Sequence, residues 1–402
     1  MSQHRFSLWW GPPKNFSERK NDRKVSWLEL FYDLVYVAAI SQLTHHLTQF
    51  PTWNVIAFSF LIFSLVFWSW VNGSQYYDLH GSDGIRTRLL TFWQMLSVAA
   101  VAITIEDVFE GHHQNFAIAF AVLQIIITYL WWSVGFYDPG HRIFSKFYTF
   151  NYCIAFCCFV VSAFLPAATA TYLWILALAL NLTPPLTAAR TIVTVLKRRG
   201  EVFSASSALV ERFGLFTIIV LAESILSTVT GISSNHQREV TDWLAFILGI
   251  LISFLLWSIY FDMTSEQETK KRYRYLVLLI FIHYPLLAAM SITGASMKLL
   301  LSSPELELHQ QLKWMFCIAL AIILMSIVAL TTIMRENEED RSYIRPMSRL
   351  LMVAVIIIMG LPLFFKHLSS FLFLLLISLI LLFPVFTGIK SWVRFKYKRD
   401  KR

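Results

Sequence analysis

Ionisable side chains inside apolar runs are where this sequence could do chemistry. Glu29 and Asp33 stand four residues apart in the first such run, so a helix presents both carboxyls on one face, with Tyr36 and Ile40 continuing the stripe. Glu29 falls at the mouth of the run, among basic residues of the preceding segment. Asp33 lies one turn deeper, about 6 Å further in. It reads either as half of an ion pair with an Arg or Lys from a loop, or as a carrier of a proton or cation. Glu211 and Arg212 open a later run, and Glu223 follows Glu211 by about 18 Å of helix rise. A carboxyl at that depth has no long aliphatic stem with which to reach water. It must be neutral, paired or exposed to a cavity, and burial favours its neutral form. Glu223 is thus the leading proton-binding candidate, expected to face the protein interior.

Other polar groups carry weaker signals. His283 stands beside Tyr284 and Pro285 and reads as a proton relay or as a plain hydrogen-bonding core histidine. Asn181, Thr183, Pro184 and Pro185 share one run. Two prolines remove two rungs of a helical ladder, which gives either a broken helix lining a site or a simple kink. The stretch 68–88, with Asn72, Asp78, Asp83 and Arg86, reads as a polar cytosolic turn, where Asp83 caps the next helix and pairs with Arg86. His45, His46, Glu106, Asp107, Glu110, His112 and His113 gather on the opposite side. They suit zinc, pH sensing or a solvated rim, but lack the H-x3-H spacing of a helical metal pair. Cys153, Cys157, Cys158 and Cys317 show no zinc or redox spacing and read as small hydrophobes. No metal or cofactor is expected. No nucleotide-binding loop, H-E-x-x-H or G-x-S-x-G motif occurs.

These residues need elements to hold them. Of 402 residues, 56% are hydrophobic and only 15% charged. A soluble domain carries about 25% charged residues. A soluble enzyme, a disordered chain and a secreted disulfide scaffold are therefore excluded. Apolar runs of spanning length fall near 27–48, 53–73, 87–106, 115–137, 146–165, 171–193, 209–231, 242–262, 274–299, 312–334, 347–366 and 370–393. Each is about twice the length of a barrel strand and apolar on all faces. The fold class is all-α: a polytopic membrane protein of about 12 transmembrane helices. With both termini on one side, that side holds thirty Lys and Arg, and the other holds four: Arg238, Lys298, Lys313 and Lys366. This asymmetry puts both termini in the cytoplasm of a bacterium, with the protein in its inner membrane. Residues 1–26 have no apolar signal region and read as a basic cytosolic tail. The cluster from Lys390 to Arg402 suits anionic lipid headgroups rather than nucleic acid, despite a net charge of +9.

The second half echoes the first. Glu29-Leu-Phe-Tyr resembles Glu211-Arg-Phe-Gly, Phe67-Trp68-Ser69 resembles Leu256-Trp257-Ser258, and Leu182-Thr-Pro184 resembles Leu382-Phe-Pro384. Arg86-Thr-Arg88 resembles Arg272-Tyr-Arg274, and Leu165-Pro166 resembles Leu361-Pro362. The order is kept throughout. The expected organisation is a tail (1–26), a six-helix repeat (27–199), a linker (200–208), a second six-helix repeat (209–393) and a basic tail (394–402). An even repeat makes the two copies parallel, as in several transporter folds. The repeat sets Ser41 opposite Glu223, so that acid belongs to one half alone.

Trp27-Leu-Glu29-Leu-Phe-Tyr-Asp33-Leu-Val-Tyr-Val, followed by Gln42 and His45, resembles the opening motif of the bacterial low temperature requirement protein A family. Glu211-Arg-Phe-Gly-Leu-Phe-Thr-Ile-Ile-Val-Leu-Ala-Glu223-Ser is similar to its second hallmark. Trp68-x-Trp-x-Asn72 and His283-x-Pro285-Leu resemble two further family patterns, while the turn Asp78-Leu-His-Gly-Ser-Asp83 carries fewer acids than the family's. The resemblance implies a multi-spanning inner-membrane protein linked by name to growth in the cold. It implies no established biochemical activity.

Function is therefore read from the residues. Duplicated halves, a deep acid and proline-bearing helices fit a secondary transporter coupled to a proton or cation, moving a small molecule of unknown identity among membrane lipids. An ion or proton channel would use the same acids in a continuous wet path. A membrane-embedded enzyme would need Asp33, Asp78, Asp83, Arg86 and Arg88 to converge. A sensor, a lipid-handling protein and an assembly protein complete the alternatives.

Overall fold

Apolar stretches of twenty or more residues have one cheap way to satisfy their backbone in lipid, which is the helix. The computed structural model describes residues 11–15, 23–82, 84–139, 142–187, 194, 205–233, 239–264, 268–302, 306–335, 338–365 and 367–399. Among these, twelve helices follow one another: α1 (Trp27–Gln49), α2 (Trp53–His80), α3 (Ile85–Phe109), α4 (Gln114–Tyr137), α5 (Arg142–Ser162), α6 (Ala167–Thr187), α7 (Ser207–Ser233), α8 (Val240–Thr264), α9 (Tyr273–Ser302), α10 (Leu306–Ile333), α11 (Glu338–Phe364) and α12 (Ser370–Arg399). Ten are long and apolar enough to cross a membrane by length and composition, while α1 and α5 fall below that measure. Glu29, Asp33, His45 and His46 dilute α1, and Arg142, Lys146, Tyr148 and Asn151 dilute α5. Outward faces are apolar: Phe164 is 82% exposed, Ile103 78% and Ile356 72%. Side chains of this kind at a surface match hydrocarbon, as in a multi-pass membrane protein.

One boundary differs from the sequence expectation. The second helix does not stop near residue 73 but runs to His80. Its polar end is no loop, because Asn72, Ser74, Gln75, Asp78 and His80 are all buried there. Backbone pairing continues, and a short strap clasps the end. Lys14 donates its backbone N–H to the His80 carbonyl (3.1 Å), and the His80 Nδ1 meets the Lys14 carbonyl (2.8 Å).

Two compact units divide the chain. The first comprises Met1–His46, Trp53–Phe216 and Lys271–Val277. Within it, α2 packs against α4 and α6, and α3, α4, α5 and α6 pack in succession. The second comprises Leu47–Thr52, Thr217–Lys270 and Leu278–Arg402. Within it, α8 packs against α10 and α12, and α10, α11 and α12 pack in succession.

The paired prolines of α6 do not break it; the helix continues to Thr187. A proline has no N–H, so Pro185 leaves the Asn181 carbonyl without its ladder partner. The indole Nε1–H of Trp68 donates to that carbonyl (2.9 Å). The Asn181 side chain exchanges two hydrogen bonds with Gln124 (3.1 and 3.2 Å), and Tyr273 donates to the Pro185 carbonyl (2.8 Å). The Trp68 indole thus replaces the rung that Pro185 removes.

Candidate functional site

The first unit buries a network of acids and guanidinium groups. Its base is the start of α1, where Ser26 and Glu29 form a capping box: the Glu29 backbone N–H donates to Ser26 Oγ (3.3 Å) and the Ser26 N–H donates to Glu29 Oε2 (2.9 Å). The same carboxylate receives a bidentate pair from Arg23, Nη1 to Oε2 at 2.8 Å and Nη2 to Oε1 at 2.7 Å. Glu29 is therefore oriented twice, by its own helix end and by a cation six residues upstream.

One turn deeper, Asp33 is 0% exposed. Arg212, from the second turn of α7, reaches it side-on: Nε lies 3.0 Å from both carboxylate oxygens and Nη2 lies 2.7 Å from Oδ1. The indole of Trp70 donates to the same Oδ1 at 2.6 Å. The remaining arm of Arg212, Nη1, reaches Glu29 at 3.4 Å. Its guanidinium carbon sits 5.1 Å from the Tyr32 ring centre and 5.9 Å from that of Trp70. Trp70 stacks on Phe216 at 4.2 Å and meets Phe213 edge-on at 5.0 Å, which fixes the indole that holds Asp33.

Asp78 closes the network from α2. Arg23 Nη2 lies 3.4 Å from its Oδ1, and the Ser206 hydroxyl donates to that oxygen. Ser206 also caps α7 by accepting from the Leu209 N–H at 3.0 Å. The Tyr32 hydroxyl lies 3.0 Å from that of Tyr36 and 3.3 Å from Gln94 Oε1, and Ser69 Oγ lies 3.3 Å from the Tyr36 hydroxyl. Gly73 makes this possible. A Cβ there would overlap the Tyr32 hydroxyl and lie 2.7 Å from its Cζ and 2.9 Å from Gln94 Oε1. Glu29, Arg212, Tyr32, Gln94 and Thr91 line one narrow cavity beside the network.

Glu29, Asp33, Asp78 and Arg212 are therefore brought together. The other candidate residues lie elsewhere. Glu211 is exposed. Glu223 belongs to the second unit and is half-buried; the next residue, Ser224, packs on Gly294 of α9, whose Cβ would stand 3.2 Å from the Ser224 Cα. His283 is fully buried with both ring nitrogens engaged, Nδ1 at 2.8 Å from the Leu279 carbonyl and Nε2 at 2.9 Å from the Tyr260 hydroxyl. That is the core-histidine arrangement: Nδ1–H donates and Nε2 accepts. Asn72 is on α2, donating to the Trp68 carbonyl (2.9 Å) and accepting from the Tyr152 hydroxyl. Arg86 is on α3, bonded to Tyr76 and Ser133. Asp83 lies outside the described residues.

On the opposite side, His46 stacks on Phe109 at 3.8 Å and His113 meets the Ser162 and Leu165 carbonyls. Among the described residues no three His, Cys, Asp or Glu side chains could together hold a metal ion. Sequence reasoning missed Arg23, Trp70 and Ser206. The Ser26-x-x-Glu29 capping box was the signal for the first, since it fixes the turn that carries Arg23 towards Glu29.

Comparison with known proteins follows the same residues. An uncharacterized protein of Rhizobium meliloti (strain 1021) is 26% identical over 300 residues, covering 71% of this chain and 72% of its own length. No solved structure matches the chain. The family model described as bacterial low temperature requirement A protein matches residues 24–384, a span that holds Glu29, Asp33, Asp78 and Arg212. The chain belongs to the bacterial low temperature requirement A family.

Proposed function

We propose that this protein is a secondary transporter of the bacterial inner membrane, coupled to a proton or cation and carrying a small molecule, with both termini in the cytoplasm and lipid around its apolar faces. One observation carries the reading. Among the described residues the network sets three carboxylates, Glu29, Asp33 and Asp78, against two guanidinium groups, Arg23 and Arg212. Glu29, Asp33, Asp78 and Arg212 are all buried. A buried carboxylate is costly unless it is paired, so the charge of each acid depends on the cation it shares. Each arginine is shared between two acids, so neutralising one acid frees a donor for the other. That is a physical basis for coupling an ion to a rearrangement of α1, α2 and the start of α7.

The helix pairings support a duplicated architecture. The contacts of α2 with α4 and α6, of α4 with α5 and of α5 with α6 recur six helices later, as α8 with α10 and α12, α10 with α11 and α11 with α12. The repeat proposed from sequence, 27–199 and 209–393, has the same offset. Glu223 supplies a separate acid in the second unit. The thirty-to-four distribution of Lys and Arg supports the orientation.

The test is flux into proteoliposomes with and without an imposed pH or cation gradient. Gradient-dependent, saturable uptake is expected from the native chain. Asp33→Asn and Glu223→Gln should each reduce the gradient-dependent part, and Glu223→Asp should keep some of it. Flux that ignores the gradient, or that both neutral variants leave unchanged, would sink the proposal. Non-saturating current would move the protein to the channel class.

A further inference from the structure

We propose that Arg86 is the centre of an oxyanion-binding site in the first unit, taking a carboxylate or phosphate group. Arg86 is 2% exposed, and among the described residues no carboxylate lies within 4.0 Å of it. Its partners are neutral. Nη1 donates to the Tyr76 hydroxyl (3.3 Å) and Nη2 to Ser133 Oγ (2.7 Å), while the rings of Tyr129 and Tyr137 lie 5.8 and 6.0 Å from the guanidinium carbon. A guanidinium has five N–H donors. Two are engaged, and Nε–H is buried with no acceptor among the described residues.

A second orphan donor lies close by. Trp131 meets Tyr76 edge-on at 6.3 Å, and its indole Nε1–H is also buried without an acceptor. Buried donors are almost always satisfied. Two on residues that contact the same tyrosine, one of them cationic, suit an acceptor with negative charge. Arg86 also occupies the first turn of α3, whose N-cap, Gly84, offers no side-chain acceptor. The positive end of the helix dipole adds to the guanidinium charge instead of offsetting it. The cavity already described reaches Tyr76, which Arg86 binds, and Thr87 and Leu130, the chain neighbours of Arg86 and Trp131; Glu29 and Arg212 form other parts of its wall. Glu29 does not repel an incoming anion with its full charge, because Arg23 and Arg212 both bind it. The fork of an arginine suits planar carboxylates and phosphates better than it suits halide.

Free small molecules and phospholipid headgroups offer the same chemistry, and two measurements separate them. Sodium phosphate and sodium acetate are titrated against sodium chloride at fixed ionic strength, with thermal unfolding of the full chain in detergent as the readout. Native mass spectrometry reads retained phosphatidylglycerol. Saturable stabilisation by phosphate or acetate beyond chloride is expected for a free ligand, and Arg86-dependent lipid retention for a headgroup. Trp131→Phe keeps the fold and should weaken the response at least about tenfold; Arg86→Met should abolish it. Binding is read without flux, so the outcome is independent of the transport reading. The absence of both effects, or equal effects in the native chain and both variants, would overturn the site. So would Asp83→Asn destabilising the chain as much as Arg86→Met with no anion response, since the counter-ion would then belong to the chain itself.

Discussion

Replacing Asp33 by Asn removes one charge from a place where it is answered three times. The carboxylate accepts from Arg212 Nε and Nη2 and from Trp70 Nε1, all within 3.0 Å. Asn keeps the shape and can still turn an oxygen towards Nη2 and the indole. What it cannot keep is the charge. Arg212, 1% exposed, is then left with Glu29 at 3.4 Å, a carboxylate that Arg23 already holds by two shorter bonds. Breaking a buried pair by removing one partner costs about 3–5 kcal/mol. Arg212→Gln should cost a similar amount for the opposite reason, since two acids lose their shared cation. The double variant leaves neither charge stranded, so its loss should fall short of the sum by about 2–3 kcal/mol. Reversible unfolding of the full chain in mixed micelles, run for the four members of the cycle, measures that coupling. Additive losses would show that Asp33 and Arg212 do not stabilise one another, and the network would lose its centre.

Gly73→Ala should destabilise the first unit by about 1–3 kcal/mol, because the new methyl overlaps the Tyr32 hydroxyl; adding Tyr32→Phe should recover part of the loss, and no recovery would refute this cause. Trp68→Phe strands the Asn181 carbonyl that Pro185 leaves open, at about 1–3 kcal/mol. Adding Pro185→Ala, which returns a backbone N–H, should restore stability, as thermal unfolding would show. Reporter fusions should find 1–26, 190–212 and the C-terminal tail in the cytosol and 107–114 outside; a periplasmic C-terminus would overturn the orientation.

The helices were legible because their cause is local: long apolar runs leave the backbone few alternatives. Half of the site was legible too, since Glu29 and Asp33 sit on one face at helical spacing and Glu211-Arg212 is an unusual opening for an apolar run. Their pairing was not. The contact between Asp33 and Arg212 spans 179 residues, and no local pattern encodes it. The sequence offered a loop cation as partner, whereas the cation stands in the second turn of a helix. The end of α2 was misjudged for a related reason. Asn72, Gln75 and Asp78 read as loop residues by polarity, yet each is buried, and polarity alone does not reveal that tertiary partners exist. Pro184-Pro185 carried the same ambiguity, which Trp68, over a hundred positions away, resolves in favour of a continuous helix.

The distance between Asp33 and Arg212 also orders events on the ribosome. Synthesis proceeds at about 5–20 residues per second, so about 9–36 s pass between the emergence of the acid and that of its cation. Throughout that interval Arg23 can answer Glu29, but the guanidinium that pairs with Asp33 in the folded structure is still to come. The first helix of the nascent chain is therefore a poor passenger for the translocon: less apolar than most of those that follow it, and carrying an acid it cannot yet neutralise. The ion pair that holds Asp33 in the folded structure forms only when the seventh helix arrives. Maturation of the first unit is in this sense completed from the second half of the gene.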